Sequence, residues 1–138
     1  MKGDAKLLGK LNGLLADELT AINQYMVHSE MCDNWGYERL HGQIEKRAIQ
    51  EMKHAEMLIG RILFLEGTPD VSTLNRIRIG ADVAKQFAND LIAERGAWKL
   101  YNEAIKLADQ AKDAPTRNLL EQIARDEDEH IDWLEEQL

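Results

Sequence analysis

Four glutamates interrupt apolar stretches of this sequence at positions where a carboxylate is hard to accommodate. Glu18 stands between Leu14 or Leu15 and Ile22, and Glu51 between Ala48 and Ala55. Glu94 stands between Leu91 and Trp98, and Glu127 between Ile123 and Ile131. A carboxylate facing a core is costly unless it is paired or bound to metal. Four facing one core would repel one another, and only some could relieve this by taking up protons. A pair of divalent cations removes the conflict directly. Two of the four are followed three positions later by a histidine, His54 and His130. Residues three apart on a helix share a face, so each such pair can reach one ion. Carboxylate oxygen with two imidazoles and no thiolate suits Fe(II) or Mn(II) better than structural zinc.

The spacing is repeated along the chain. Glu18 and Glu94 are 76 positions apart, as are Glu51 and Glu127, and within each half the single glutamate precedes the Glu-x-x-His pair by 33. Tyr25 and Tyr101, Glu45 and Glu121, and Leu58 and Leu134 keep the same offset. The chain therefore reads as two helical hairpins, each giving Glu plus Glu-x-x-His, the ligand pattern of di-iron and di-manganese carboxylate bundles. The competing account of the six residues is a buried salt-bridge network, but the core-facing positions offer no matching lysine or arginine. Glu38 with His41 repeats the spacing without a counterpart, since Ala114 and Arg117 stand at the offset positions; it is expected as a solvated pair near a helix start. His28 has no such arrangement and is expected at the surface or an interface.

Four elements must position these side chains. Apolar residues recur at helical spacing over about 4–33 (Leu7, Leu11, Leu14, Leu15, Ile22, Tyr25) and about 37–65 (Leu40, Ile44, Ala48, Ala55, Leu58, Ile62). They recur again over about 82–111 (Val83, Phe87, Leu91, Trp98, Tyr101, Ile105) and 116–137 (Leu119, Leu120, Ile123, Ile131, Leu134). Asp33-Asn34-Trp35-Gly36 and Gly67-Thr68-Pro69 supply stops, and Asp113-Ala114-Pro115 reads as an N-cap with proline near a helix start. The stretch 66–80 shows no stripe and is expected to cross the length of the molecule, so that the third helix runs parallel to the second. The expected fold is all-α: a ferritin-like antiparallel four-helix bundle with a long crossover between helices 2 and 3.

Composition narrows the function classes. At 138 residues the chain fits a single domain over 1–138. A net charge of -8 argues against nucleic acid, whose phosphates it would repel. No apolar run approaches the roughly 20 residues of a membrane span, so no membrane partner is expected. The single cysteine, Cys32, excludes an intramolecular disulfide and is expected as a small buried hydrophobe. With no secretion signal at the N-terminus, the expected location is a reducing cytoplasm.

Longer stretches carry a family resemblance: Met1-Lys2-Gly3-Asp4, Glu18–Tyr25 (ELTAINQY), Asn34-Trp35-Gly36, Glu51-Met52-Lys53-His54-Ala55, Arg61–Gly67 (RILFLEG) and Arg125–Leu134 (RDEDEHIDWL). Over its whole length the sequence resembles the bacterioferritins. The resemblance implies iron storage and detoxification, with Glu18, Glu51, His54, Glu94, Glu127 and His130 as ferroxidase ligands for two Fe ions per subunit. Glu51 and Glu127 match the bridging pair, and Glu18 and Glu94 the terminal ones. It implies oxidation of Fe(II) to Fe(III) by O2 or H2O2. Tyr25, on the same stripe as Glu18, is either a core aromatic or placed to supply a further electron. The resemblance also implies haem b at a two-fold interface, one per two subunits, with Met52 of each as axial ligand. Met52 lies about 100° round the helix from Glu51 and so off the metal face. Ile49, Leu19, Ile22, Asn23 and Met26 can join it in an apolar patch.

Members usually continue into a short fifth helix that lines pores in a 24-subunit shell, whereas this sequence stops at Leu138. The expectation is therefore a two-fold dimer with any larger shell weakened. Lys46, Arg47 and Gln50 stand where well-known members carry a histidine and acids facing the cavity, which departs from the usual inner-surface iron route. Two other readings stand beside it: a di-metal oxygenase, peroxidase or manganese catalase on the same ligands, and a haem-binding electron-transfer or structural bundle in which the di-metal site is idle.

Overall fold

The computed structural model describes all 138 residues. It contains four helices: α1 (Ala5–Asn34), α2 (Glu38–Phe64), α3 (Val83–Gln110) and α4 (Ala114–Gln137). Three begin at an aspartate whose side chain accepts a free N–H of the first turn. Asp4 takes that of Leu7 at 2.9 Å, Asp82 that of Lys85 at 2.8 Å, and Asp113 that of Thr116 at 3.1 Å. The first three helices end alike. A residue in the left-handed region (Gly36, Glu66, Lys112) lets the next N–H turn back to a carbonyl of the last turn, as Tyr37 to Cys32, Gly67 to Ile62 and Asp113 to Ala108.

Side-chain pairs fix the directions. Lys10 meets Glu103, Glu18 meets Tyr101 and Tyr25 meets Glu94, so α1 and α3 are antiparallel. Gln50 meets His130, His54 meets Asp126 and Arg61 meets Thr116, so α2 and α4 are antiparallel too. Short turns close the hairpins α1–α2 and α3–α4, leaving α2 parallel to α3. The segment between them, free of helix and strand, runs the length of the bundle as expected.

That crossover is held by a polar ladder on α1. Asn12 Oδ1 accepts the N–H of Asp70 at 2.9 Å, Thr20 Oγ1 that of Asn75 at 2.8 Å, Gln24 Oε1 that of Arg78 at 3.0 Å, and His28 Nε2 that of Gly80 at 3.0 Å. The last three lie four apart, hence in a row down one helix face. This corrects the expectation for His28: it is 0% exposed, with Nδ1 3.0 Å from Asp90 Oδ1. Gly80 must be small here, because a Cβ would come within 2.2 Å of the Gln86 amide nitrogen.

The apolar core falls into two clusters. One gathers Leu7, Leu11, Leu15, Leu58, Tyr101 and Ile123 among others, the second Tyr25, Cys32, Ile44, Phe87, Leu91 and Leu134. Cys32 is buried, as expected. Trp98 departs from its expected core position and is 42% exposed. Four residues past Glu94 it has turned about 40° beyond that face, whereas Tyr101 at seven returns to within about 20°.

Candidate metal centre

Between the two clusters, each helix contributes to one polar layer. Glu18 comes from α1, Glu51 and His54 from α2, Glu94 from α3, and Glu127 and His130 from α4. None is more than 3% exposed. Two groups form, Glu18–Glu51–His54–Glu127 and Glu51–Glu94–Glu127–His130, each offering ligand atoms that all lie within 4.8 Å of one another. Glu51 and Glu127 belong to both, so they sit where a carboxylate can bridge two ions. Glu18 with His54, and Glu94 with His130, stand at the two ends.

The imidazoles are aimed. His54 turns Nδ1 toward Glu51 (3.4 Å), Glu127 (3.5 Å) and Glu18 (3.6 Å), while its Nε2–H donates to Asp126 Oδ2 at 2.7 Å. His130 turns Nδ1 toward Glu51 at 3.1 Å and Glu94 at 3.4 Å, and its Nε2–H donates to Gln50 Oε1 at 2.5 Å. Each outer acceptor fixes the tautomer whose bare nitrogen faces inward, the usual support for a metal-bound histidine. Two phenols complete the layer. Tyr25 donates to Glu94 Oε1, and Tyr101 donates to Glu18 Oε1 at 2.5 Å.

The charges are in conflict without a cation. Burial, then the charges of Glu18 and Glu94, push the Glu51 carboxyl well above the usual range. Burial also pushes Glu18 upward, but hydrogen bonds from Glu51, His54 and Tyr101 outweigh it and leave Glu18 below its ordinary value. Burial opposes the charged form of His54, yet Glu18 and Asp126 together raise its pKa. Burial and the nearby carboxylates hold both phenols well above their ordinary range. Nine buried side-chain polar atoms of the protein find no hydrogen-bond partner, and six belong to this layer: Glu18 Oε2, Glu51 Oε1, His54 Nδ1, Glu94 Oε2 and both oxygens of Glu127. Buried groups are normally satisfied. Five carboxyl oxygens and one imidazole nitrogen left without partners in this layer are a donor set for hard or borderline cations.

A cavity of about 380 Å³ leads to this layer between α1, α3 and the crossover. Asp17, Asn75, Arg76 and Arg78 line it together with the inner carboxylates. Of the other residues singled out in the sequence, Met52 is 47% exposed on α2, three positions from the exposed Ile49, and is not brought to the centre; Met26 on α1 is exposed as well. Glu38 is exposed, but His41 is half-buried with Nδ1 2.8 Å from Ser29 Oγ, which corrects the expected solvated pair. Lys46 is exposed, while Arg47 lies over the Trp133 ring at 4.8 Å. Sequence reasoning missed Gln50 and Asp126 as outer supports. The signal was present, because they too are 76 positions apart, each one residue before a Glu-x-x-His.

Comparison with known proteins places relatives beside this geometry. A family model described as a ferritin-like domain matches residues 8–138. Bacterioferritins from Mycolicibacterium paratuberculosis and Rhodobacter capsulatus are 44% and 41% identical over all 138 residues, which span 87% and 86% of those chains. One from Brucella melitensis is 40% identical over the same length and 86% of its own.

Proposed function

The chain belongs to the bacterioferritins within the ferritin-like family, and from that premise we propose that it stores iron by oxidising Fe(II) at the carboxylate–histidine layer. The observation that carries this reading is the set of six unpartnered buried donor atoms in one layer. Iron is substrate here. One ferrous ion takes Glu18 and His54, its neighbour takes Glu94 and His130, and Glu51 with Glu127 holds the two together. Two ferrous ions give two electrons to dioxygen, enough with two protons to take it to the level of hydrogen peroxide; peroxide itself is a further oxidant. Hard anionic oxygens favour the ferric product over the ferrous substrate. Glu51 must release its proton as metal enters, and Asp126 and Gln50 keep the imidazoles in line. The cavity beside Asp17 supplies a way in for ion and oxidant. Tyr25, bonded to Glu94, is placed to give an additional electron.

Haem fits the outer face of the first hairpin. An exposed thioether on Met52, with Ile49 and Met26 exposed on the same hairpin, offers a soft axial ligand, and haem iron bound there would be a redox centre between two subunits. A reducing cytoplasm, where Fe(II) persists, suits this function.

The decisive experiment is anaerobic Fe(II) titration followed by stopped-flow oxidation of wild type, Glu51→Ala and His130→Ala. The wild type is expected to bind two ions per chain and oxidise them quickly. Each variant, still helical by circular dichroism, should lose at least ~10-fold in affinity or rate. Wild-type oxidation in either variant would remove the layer as the site. Oxidation coupled to turnover of an organic co-substrate admitted by the cavity would favour an oxygenase or peroxidase instead.

A further inference from the structure

We propose that Tyr101 is a second electron and proton donor of the centre, the counterpart of Tyr25, and that the two phenols together let one pair of ferrous ions carry dioxygen to water. This rests on the ferroxidase reading above and extends it to the fate of oxygen. Tyr101 is 0% exposed and is the largest fully buried side chain in the protein. Its hydroxyl donates to Glu18 Oε1 at 2.5 Å, and Tyr25 donates to Glu94 Oε1. Each hairpin thus lends a phenol to the terminal glutamate of the other. In each glutamate the second oxygen, Oε2, is the unpartnered one, so a single carboxylate separates each phenol from the metal position. A phenylalanine would fill the Tyr101 space equally well. The hydroxyl adds only the link to Glu18, and proton transfer needs that heavy-atom reach.

The electron balance gives the pair a purpose. Two ferrous ions supply two electrons, enough to take dioxygen to hydrogen peroxide. Reduction to two waters needs four electrons and four protons. Tyr25 and Tyr101 supply one electron and one proton each, the protons moving along the hydrogen bonds to Glu94 and Glu18 and on to the oxygen being reduced. Solvent in the cavity supplies the other two protons. The products are two ferric ions, two neutral tyrosyl radicals and two waters. Peroxide, which would react with further Fe(II) outside the centre, is not released.

The test combines rapid-freeze electron paramagnetic resonance with a peroxide assay after one exposure of protein holding two Fe(II) per chain to dioxygen. Wild type should give two radical spins per chain and no free peroxide. Tyr25→Phe should keep one radical, with one oxidising equivalent left at the centre; ring-deuterated tyrosine shows it to be tyrosyl and its loss in the double variant assigns it to Tyr101. Tyr101→Phe should give at most half the spin yield, with no radical in those centres that release peroxide, since peroxide takes only the two iron electrons. The double variant should give no radical and one peroxide per two ions oxidised. Anaerobic Co(II) binding that is unchanged in Tyr101→Phe separates electron donation from an effect on Glu18. If that variant binds Co(II) poorly, the radical in Tyr25→Phe decides alone. A full spin yield without peroxide in Tyr101→Phe, or no radical in Tyr25→Phe, overturns the proposal. Absence of Fe(II) oxidation in the wild type would instead overturn the ferroxidase reading on which it rests.

Discussion

Glu51 and Glu18 are equally buried in one layer, yet different neighbours hold their protons in opposite directions. Glu51, raised by burial and by two nearby carboxylates, keeps a proton that Glu18, stabilised by three donors, has lost. A folded-state pKa above the unfolded one stabilises fully below the unfolded value, and that contribution is lost as pH rises through the folded one. Glu51 and His54 both act in this sense, while the Glu18 contribution is lost only as pH falls below the carboxylate range. Metal-free protein should therefore melt at progressively lower temperature as pH rises above that range, whereas the gain on adding Co(II) should grow, because Glu51 must deprotonate to bind. Thermal melts with and without metal across that range check both slopes. A metal-free melting temperature that rises with pH, or a Glu51→Gln slope like the wild type's, would count against this assignment. The outer supports add an asymmetry: an anionic carboxylate on Asp126 backs His54, but a neutral amide on Gln50 backs His130. A carboxylate acceptor makes imidazole the stronger ligand, so Gln50→Asp should tighten the weaker of two Co(II) binding steps by up to ~10-fold, and Asp126→Asn should weaken the tighter by about as much. Anaerobic calorimetry resolving two steps would show this, and an unchanged pair of affinities in both variants would refute it.

The crossover is ordered through its backbone, not through a core of its own. Gln24 accepts the Arg78 N–H and donates to Asp90 at 2.8 Å, so Gln24→Ala strips one rung of the ladder and leaves a neighbouring carboxylate short of a donor. An unsatisfied buried group costs about 1–3 kcal/mol, and here the loss should be local. Hydrogen exchange should accelerate at Arg78 and Gly80 while amides around Leu120 and Ile123 keep their protection; uniform acceleration, or none, would show that the ladder does not hold the crossover. The same contrast explains what was readable in the sequence. The four helices announce themselves by apolar periodicity, and the six central residues by acids that break it at a repeated offset. Crossover contacts are single polar side chains meeting backbone N–H groups, which leave no periodic trace, so His28 looked like a surface residue. Gln50 and Asp126 were hidden among charged and amide neighbours, where nothing but the offset distinguishes them. Tyr101 was legible as a core ring, but its hydroxyl partner lies 83 positions away and no local pattern reports it.

At the scale of the molecule, the outer face of the first hairpin is one apolar surface left without a partner. Met26, Ile49 and Met52 are large apolar side chains on a protein of net charge -8, and no helix is long and apolar enough to cross a membrane and bury them there. Like-charged copies repel, so self-association has to be won by apolar contact, and an isologous contact buries the same patch twice. Placing Met52 from both copies at one two-fold interface also makes a ligand that binds there stabilise the pair by mass action. Two substitutions separate contact from ligation. Ile49→Lys puts a cation into each half of the contact and should yield monomers that take up no haem. Met52→Leu keeps the apolar bulk and removes the sulfur, so it should remain dimeric while losing the haem absorption bands. Fe(II) oxidation should persist in both, because neither side chain reaches the central layer. Sedimentation with an absorption spectrum reads both outcomes. A dimeric Ile49→Lys would move the interface elsewhere, and wild-type haem bands in Met52→Leu would rule out the thioether as ligand.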